Sequence, residues 1–271
     1  MQSILPIWQP VGYSTYQITN AIAELTGKKA THTGVLDPLA EGVIIVLTGD
    51  ERFNKLNYSN WHKIYDFEIA FGLSTDSFDG MGFVSNSDLD NAKVDKIEVE
   101  KVAQSFIGTY TQTVPIYSAQ KFQGKKLFTY AKKNISIPEL PKKSGEIYSI
   151  ETISVTEVKL KQLISELILK LGAVESGEFR QKETAEEWKK LLISPESEKV
   201  TSVAKIRVEM SKGLYVRSLS QDIAQKLGKL GFVVSLVRTK NGDYSLTNSL
   251  SLKDIFKDRF DKKLFVSKYN S

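Results

Sequence analysis

Apolar residues recur along the chain with two periods, and the switches between them mark its elements. Ile18, Ala21, Ile22 and Leu25 follow one another at helical spacing. Ser14 and Gln17 have the spacing of a capping box, in which each side chain satisfies a free amide at a helix start. With Gly27 as a stop, the pattern predicts a helix over residues 14–26. Residues 43–48 form a short apolar run, the mark of a buried strand. Residues 62–71 alternate, with Tyr65, Phe67, Ile69 and Phe71 on one face and Asp66 and Glu68 on the other, as in a half-buried strand. Val99, Val102, Ala103 and Phe106 predict a helix ending near Gly108. Ala204, Ile206, Val208 and Met210 alternate with Lys205, Arg207 and Glu209 in a further strand. Ser211-Lys212-Gly213 then turns the chain into a short strand, Leu214-Tyr215-Val216. A helix with Leu219, Ile223 and Leu227 inward ends at Gly228, and Phe232 to Val237 is one more apolar strand. Helices and strands intermix without a regular βαβ repeat, which predicts an α+β fold: a mixed, largely antiparallel sheet flanked by helices.

Two segments stand apart. Residues 118–146 are rich in lysine, and Tyr117, Phe122, Phe128 and Tyr130 punctuate that stretch. Residues 158–200 read as helical: Leu163, Leu167 and Leu171 are spaced by four. Thr184 with Glu187 opens a second helix through Trp188, Leu191 and Leu192, and Pro195 ends it.

Composition narrows the chemistry. The chain has 271 residues and a formal charge of +5, compatible with a polyanionic partner but not demanding one. The absence of cysteine excludes disulfides, thiolate zinc sites and cysteine nucleophiles. With His32 and His62 the only histidines, no histidine-rich metal site is expected. The start lacks a basic region followed by a long apolar run, and runs such as Val43 to Leu47 are too short to span a bilayer. A cytoplasmic protein with no membrane partner is the expectation.

Residues 32–42 read His-Thr-Gly-Val-Leu-Asp-Pro-Leu-Ala-Glu-Gly. Pro38 fixes its own φ and biases Asp37 towards extended backbone, so a constrained loop leads into the strand at 43–48. On pattern alone, Asp-Pro more often marks a turn than an active site. The run nevertheless resembles the His-Thr-Gly-x-Leu-Asp-Pro-x-Ala-x-Gly signature of the bacterial tRNA pseudouridine synthase B family, relatives of dyskerin. The resemblance continues in order at Lys63-Ile64-Tyr65 through Thr75-Asp76-Ser77-Phe78-Asp79-Gly80, and at Pro115-Ile116-Tyr117-Ser118-Ala119-Gln120-Lys121 with Gln123 to Leu127. It ends with Ser211-Lys212-Gly213-Leu214-Tyr215-Val216-Arg217 and Val237-Arg238. These blocks cover residues from about 10 to 245, apart from 158–200.

The resemblance implies a pseudouridine synthase fold and conversion of the T-loop uridine at tRNA position 55, with the base flipped out before chemistry. It makes Asp37 the nucleophile or base that starts the reaction, by attack at C1′ or C6 or by deprotonation at C2′. Arg217 becomes its charge partner, because an adjacent guanidinium orients a carboxylate and favours its charged form. Tyr65 is implied to stack on the uracil, Val237 to complete an apolar slot beside the base, and His32 to fill the space that the base vacates. Tyr117, Lys121, Lys125 and Lys126 fall in a basic, aromatic-studded thumb suited to phosphate contacts and base stacking. Isomerisation involves no redox change, so no cofactor and no metal is expected, and the enzyme is expected to be a monomer.

Departures from the family pattern accompany this. Gln9 stands in Trp8-Gln9-Pro10-Val11-Gly12 where the family has lysine, and Thr31 stands where a glycine usually precedes the histidine. The expected division is a catalytic domain in two parts, 1–157 (with the thumb at about 118–146) and 203–271, around a helical insertion at 158–202. Residues 246–271 are too few for the usual C-terminal PUA-type RNA-binding module, which is expected to be absent. The rival readings are a tRNA-folding chaperone with weak catalysis, a guide-RNA-dependent synthase like dyskerin, and a synthase acting on another RNA.

Overall fold

The structure is a computed structural model and describes residues 2–133, 135–174 and 180–256. The last part of the C-terminal stretch, 257–271, lies outside the described residues. In chain order the framework is β1 (Ile4–Gln9), α1 (Thr15–Thr26), β2 (Glu41–Thr48), β3 (Lys63–Phe71), α2 (Lys96–Gln104), β4 (Gly108–Thr113) and β5 (Lys142–Lys159). It continues with α3 (Leu160–Ala173), α4 (Gln181–Leu192), β6 (Val200–Met210), α5 (Val216–Lys226) and β7 (Gly231–Asn241). The strands form one sheet in the order β1-β2-β7-β3-β6-β5-β4, with short strands at Ala30–His32 and Tyr244–Ser245 along its edges. Every pairing is antiparallel except that of β7 with β2, where Val237 faces Glu41 and Arg238 faces Gly42. The sheet is therefore the mixed, largely antiparallel one expected from the pattern.

Local signals formed the elements they predicted. The Ser14–Gln17 capping box is closed in both directions, and Gly27 ends α1 at φ 65°, where a side chain would be strained. The alternation in β3 splits the core into two layers. Phe67 and Ile69 join Ile18, Ile22, Val99, Ile206, Val208, Leu219 and Ile223 beneath α1, α2 and α5. Ala70, Val203, Phe232 and Val234 face the other way, against Leu163, Leu167 and Leu171 of α3 and Trp188 of α4. The helical segment between β5 and β6 thus covers a sheet face that would otherwise expose apolar surface to water.

Three segments differ from expectation. Leu214-Tyr215-Val216 is not a strand: α5 begins at Val216 and Tyr215 caps it. The Gln112 side chain takes up the Tyr215 backbone instead, accepting from its N–H at 2.6 Å and donating to its carbonyl at 3.2 Å. The last apolar strand runs on past Val237 to Asn241, because a buried arginine, Arg238, continues it. Lys142–Lys159 is one long strand whose start pairs with β4, so within 118–146 the stretch from Lys142 onward belongs to the central sheet.

Trp188 is 1% exposed, stacks on Phe232 at 5.4 Å and donates to the Gly80 carbonyl at 3.0 Å. Trp188→Ala is expected to cost about 3–5 kcal/mol, read as a lower urea unfolding midpoint. An unchanged midpoint would place the helical segment outside the cooperative core.

Candidate active site

Asp37 sits at the start of a tight turn, with the Ala40 N–H donating to its carbonyl at 3.0 Å. The turn reading of Asp-Pro is therefore borne out. The loop is pinned along its length. Thr33 N–H donates to the Ile45 carbonyl at 3.1 Å, Leu36 N–H to Thr15 Oγ1 at 3.1 Å, and Gly12 N–H to the Pro38 carbonyl at 3.2 Å. Gln9, fully buried, accepts from Thr15 Oγ1 at 2.7 Å and donates to the Tyr13 carbonyl at 2.8 Å. A neutral amide thus braces the loop from the position where the family pattern has lysine.

Arg217 projects from the first turn of α5 into the space facing that loop. Its Nε donates to Asp37 Oδ2 at 2.9 Å and its Nη2 to Oδ1 at 3.0 Å, a two-pronged pair with fixed geometry. Nη1 donates to the Ser77 carbonyl at 2.9 Å and Nη2 also to the Tyr117 carbonyl at 3.0 Å, while Asp79 Oδ2 lies 3.6 Å from Nε. Arg217 as a whole is 3% exposed. Burial opposes its charge, but the Asp37 and Asp79 carboxylates outweigh burial and hold its pKa above the ordinary value. Asp79 is pushed up by burial, with Arg217 opposing and Asp37 adding to the shift. The side chain of Asp37, unlike that of Arg217, remains about a third exposed, at 32% against 4%. One carboxylate face is therefore reachable while the other is held.

A small cavity beside Asp37 is lined by Leu39, Asp79, Arg217, Ser235 and Leu236. A roomier one, about 150 Å³, lies between the sheet and α3, and no proposed site residue lines it. It is lined by Gln162 and Glu166 together with Leu163 and Leu167, and only the smaller cavity touches Asp37 and Arg217.

The structure brings together Asp37, Arg217 and Tyr117. Tyr65 lies on the α1-side face of β3, directly across from Arg238 on β7. Arg238 links that face to the Asp37 loop: Nε donates to the Val43 carbonyl at 2.7 Å, and Nη2 reaches the Gly34 carbonyl at 3.4 Å. Gly42, at φ 130°, is needed here, because a Cβ on it would lie 2.3 Å from the Arg238 carbonyl oxygen. Val237 pairs with Asp66 and does not line the small cavity, whereas its neighbour Leu236, paired with Phe67, does. Lys121, Lys125 and Lys126 are exposed on a separate two-stranded hairpin, Lys121–Phe122 with Lys125–Lys126. The following helix, Leu127–Lys132, sets Phe128 beneath the Lys126 and Lys132 ammonium groups at 5.3 and 5.0 Å. Asp79, Gln9 and Arg238 were quoted within motifs but given no role by sequence reasoning. Arg238 was detectable as a charge interrupting an apolar strand.

His32 lies on the short strand beside β2, with Nδ1 buried and unpartnered. Burial, then the charges of Lys55 and Arg238, lower its pKa from 6.5 to about 4. The unfolded chain therefore takes up a proton below pH 6.5 that the folded chain refuses until about pH 4, and stability falls across that window as pH drops. The loss is about 2–3 kcal/mol by linkage. His32→Gln is expected to lose less stability than the wild type between pH 7 and pH 4 in urea titrations. Equal losses would remove His32 as the cause.

Comparison with known proteins places this geometry in a class. Residues 23–166 match the model of the TruB family pseudouridylate synthase (N terminal domain). The chain belongs to that family, whose members isomerise uridine to pseudouridine. Among its relatives, the tRNA pseudouridine synthase B of Caldanaerobacter subterraneus subsp. tengcongensis is 33% identical over 94% of this chain and 74% of its own length. That of Bacillus subtilis is 31% identical over 94% of this chain and 70% of its own length. Of solved structures, a Cbf5-Nop10-Gar1 complex matches with a TM-score of 0.58 at 16% identity, over 97% of this chain and 58% of that one. An H/ACA RNP bound to a substrate RNA containing 2′-deoxyuridine matches with a TM-score of 0.55 at 16% identity, over 93% and 51%. The chain thus spans between half and three-fifths of these structural neighbours, and they support the fold. No helix among the described residues is long and apolar enough to cross a membrane.

Proposed function

We propose that this protein converts a tRNA uridine, the one at position 55 of the T loop, to pseudouridine, with Asp37 opening the glycosidic bond. The observation that carries the reading is the reachable Asp37 carboxylate held by both oxygens on a buried guanidinium. Relatives of similar sequence named tRNA pseudouridine synthase B support tRNA as the substrate.

In the reaction the C1′–N1 bond breaks, the uracil rotates, and C5 joins C1′. The hydrogen on C5 is lost and N1 gains one, so atoms and oxidation state balance without a cofactor. Asp37 starts this as nucleophile or base, and Arg217 keeps its two oxygens in one orientation throughout. Tyr65 and Leu236 offer the uracil an aromatic and an aliphatic wall, and His32, neutral above about pH 4, lies beside the same loop. The Lys121, Lys125 and Lys126 hairpin, with Tyr117 at its root, grips the T arm by phosphate contacts and stacking. Residues 1–157 and 203–271 act as one catalytic domain around the inserted helices of 158–202. The enzyme works as a monomer on cytoplasmic tRNA.

Asp37→Asn is expected to abolish conversion while RNA binding persists, checked by mapping pseudouridine in tRNA and rRNA incubated with the purified protein. Conversion by the variant at the wild-type rate would defeat the role of Asp37. Modification only outside the T loop would defeat the substrate assignment.

A further inference from the structure

The helical segment between β5 and β6 does more than cover a sheet face. Its α4 grips the loop that carries Asp76, Ser77 and Asp79. Trp188 Nε1 donates to the Gly80 carbonyl and Thr184 Oγ1 to the Met81 carbonyl, each at 3.0 Å. At the start of α4, Arg180 reaches Asp76 with two bonds, Nη1 to Oδ2 at 3.0 Å and Nη2 to Oδ1 at 3.2 Å. Its guanidinium lies between the rings of Phe83 and Tyr117, 4.4 Å from each centroid. The Tyr117 hydroxyl donates to Asp76 Oδ2 at 3.2 Å, and Asp76 Oδ1 also accepts from the Phe83 N–H at 3.0 Å. Arg180 adopts a left-handed backbone, φ 56°, which is unfavourable for a residue with a Cβ and is held by these contacts.

The loop and Tyr117 are the two peptides that lend Arg217 its carbonyl partners. Ser77 follows Asp76 directly, and its carbonyl accepts from Arg217 Nη1, while that of Tyr117 accepts from Nη2. We infer that Arg180 is a positioning residue for the isomerisation: by tying Asp76, Phe83 and Tyr117 into one stack, it fixes the two carbonyls that set the Arg217 guanidinium and, through it, the Asp37 carboxylate. The inference rests on the proposed function. Arg180 pairs with Asp76 through two N–H groups and lies against two rings, a geometry in which lysine cannot substitute, since an ammonium has neither the fork nor the flat face. A small displacement of Asp37 lowers the rate even at saturating RNA, where any loosening of the RNA through Tyr117 no longer counts.

The test uses the full chain and a T-arm stem-loop RNA carrying tritium at C5 of the target uridine, so that formation of the C5–C1′ bond releases tritium. Single-turnover rates at saturating RNA, RNA dissociation constants and unfolding midpoints are measured for wild type, Arg180→Ala and Arg180→Lys. Arg180→Ala is expected to lower the saturating rate about tenfold, well beyond any change in the RNA dissociation constant, with the protein still folded at the assay temperature. Arg180→Lys, which keeps the charge, is expected not to restore the rate, and it carries the test alone should the alanine variant unfold. An undiminished rate, full rescue by lysine, or weaker RNA binding with an undiminished saturating rate would each overturn the inference. The last would make Arg180 an RNA contact. If the wild type releases no tritium, the proposed function falls and this inference with it. If the wild type converts the RNA and the variants match it, only the inference falls.

Discussion

The buried guanidinium of Arg217 is the constraint around which the rest of the site is arranged. A charged residue that is 3% exposed has lost its water, and leaving it unpaired would cost several kcal/mol. The protein answers with oxygens from separate chain segments: the Asp37 carboxylate, the Ser77 carbonyl, the Tyr117 carbonyl and the nearby Asp79. No neighbouring stretch of sequence could supply them. The demand of one side chain for partners thus ties the Asp37 loop, the Asp76–Asp79 loop and the root of the basic hairpin to the first turn of α5. The same demand holds Asp37 in a single orientation, with part of it open.

A second buried arginine fixes the other side of the loop. Arg238 meets the Val43 and Gly34 carbonyls, so β7 holds both ends of the segment that carries Asp37. Gly42 permits this by letting the parallel pair of β2 and β7 approach to a distance that any Cβ would block. Gln9 and Thr15 complete the support from β1 and α1 with neutral hydrogen bonds. The Asp37 loop therefore rests on the core layer beneath α1, α2 and α5, while α4 braces the loop opposite.

Much of this was legible in the chain because it is local. The capping box at Ser14 and Gln17, the alternation of Tyr65, Phe67 and Ile69, and the helix of Leu219 and Ile223 depend on neighbours a few residues away. The misses are all non-local. Gln112 draws Tyr215 out of a strand with a side chain more than a hundred residues distant. Val237 was named for the apolar wall from the resemblance, and the register shift between Val233 and Ser235 in β7 is what sets Leu236 opposite Phe67 and beside the small cavity. That irregularity turns Leu236 and Val237 to the faces opposite those that unbroken alternation from Val233 gives, until a second shift between Arg238 and Lys240, and nothing in an apolar run reveals it. Arg238 looked like the end of a strand because its carbonyl partners, Val43 and Gly34, are far away in sequence.

By itself, the sequence determined the mixed sheet, the helices, the signature around Asp37 and the family to which that signature points, because periodicity and motif order are carried by consecutive residues. It also singled out residues 158–200 as helical and foreign to the family pattern. Only the tertiary structure decided what those helices touch, which face each β7 side chain takes, and that Arg217 gathers its partners from separate segments. These depend on a buried charge being met by oxygens from wherever the fold brings them, and that requirement has no period along the chain.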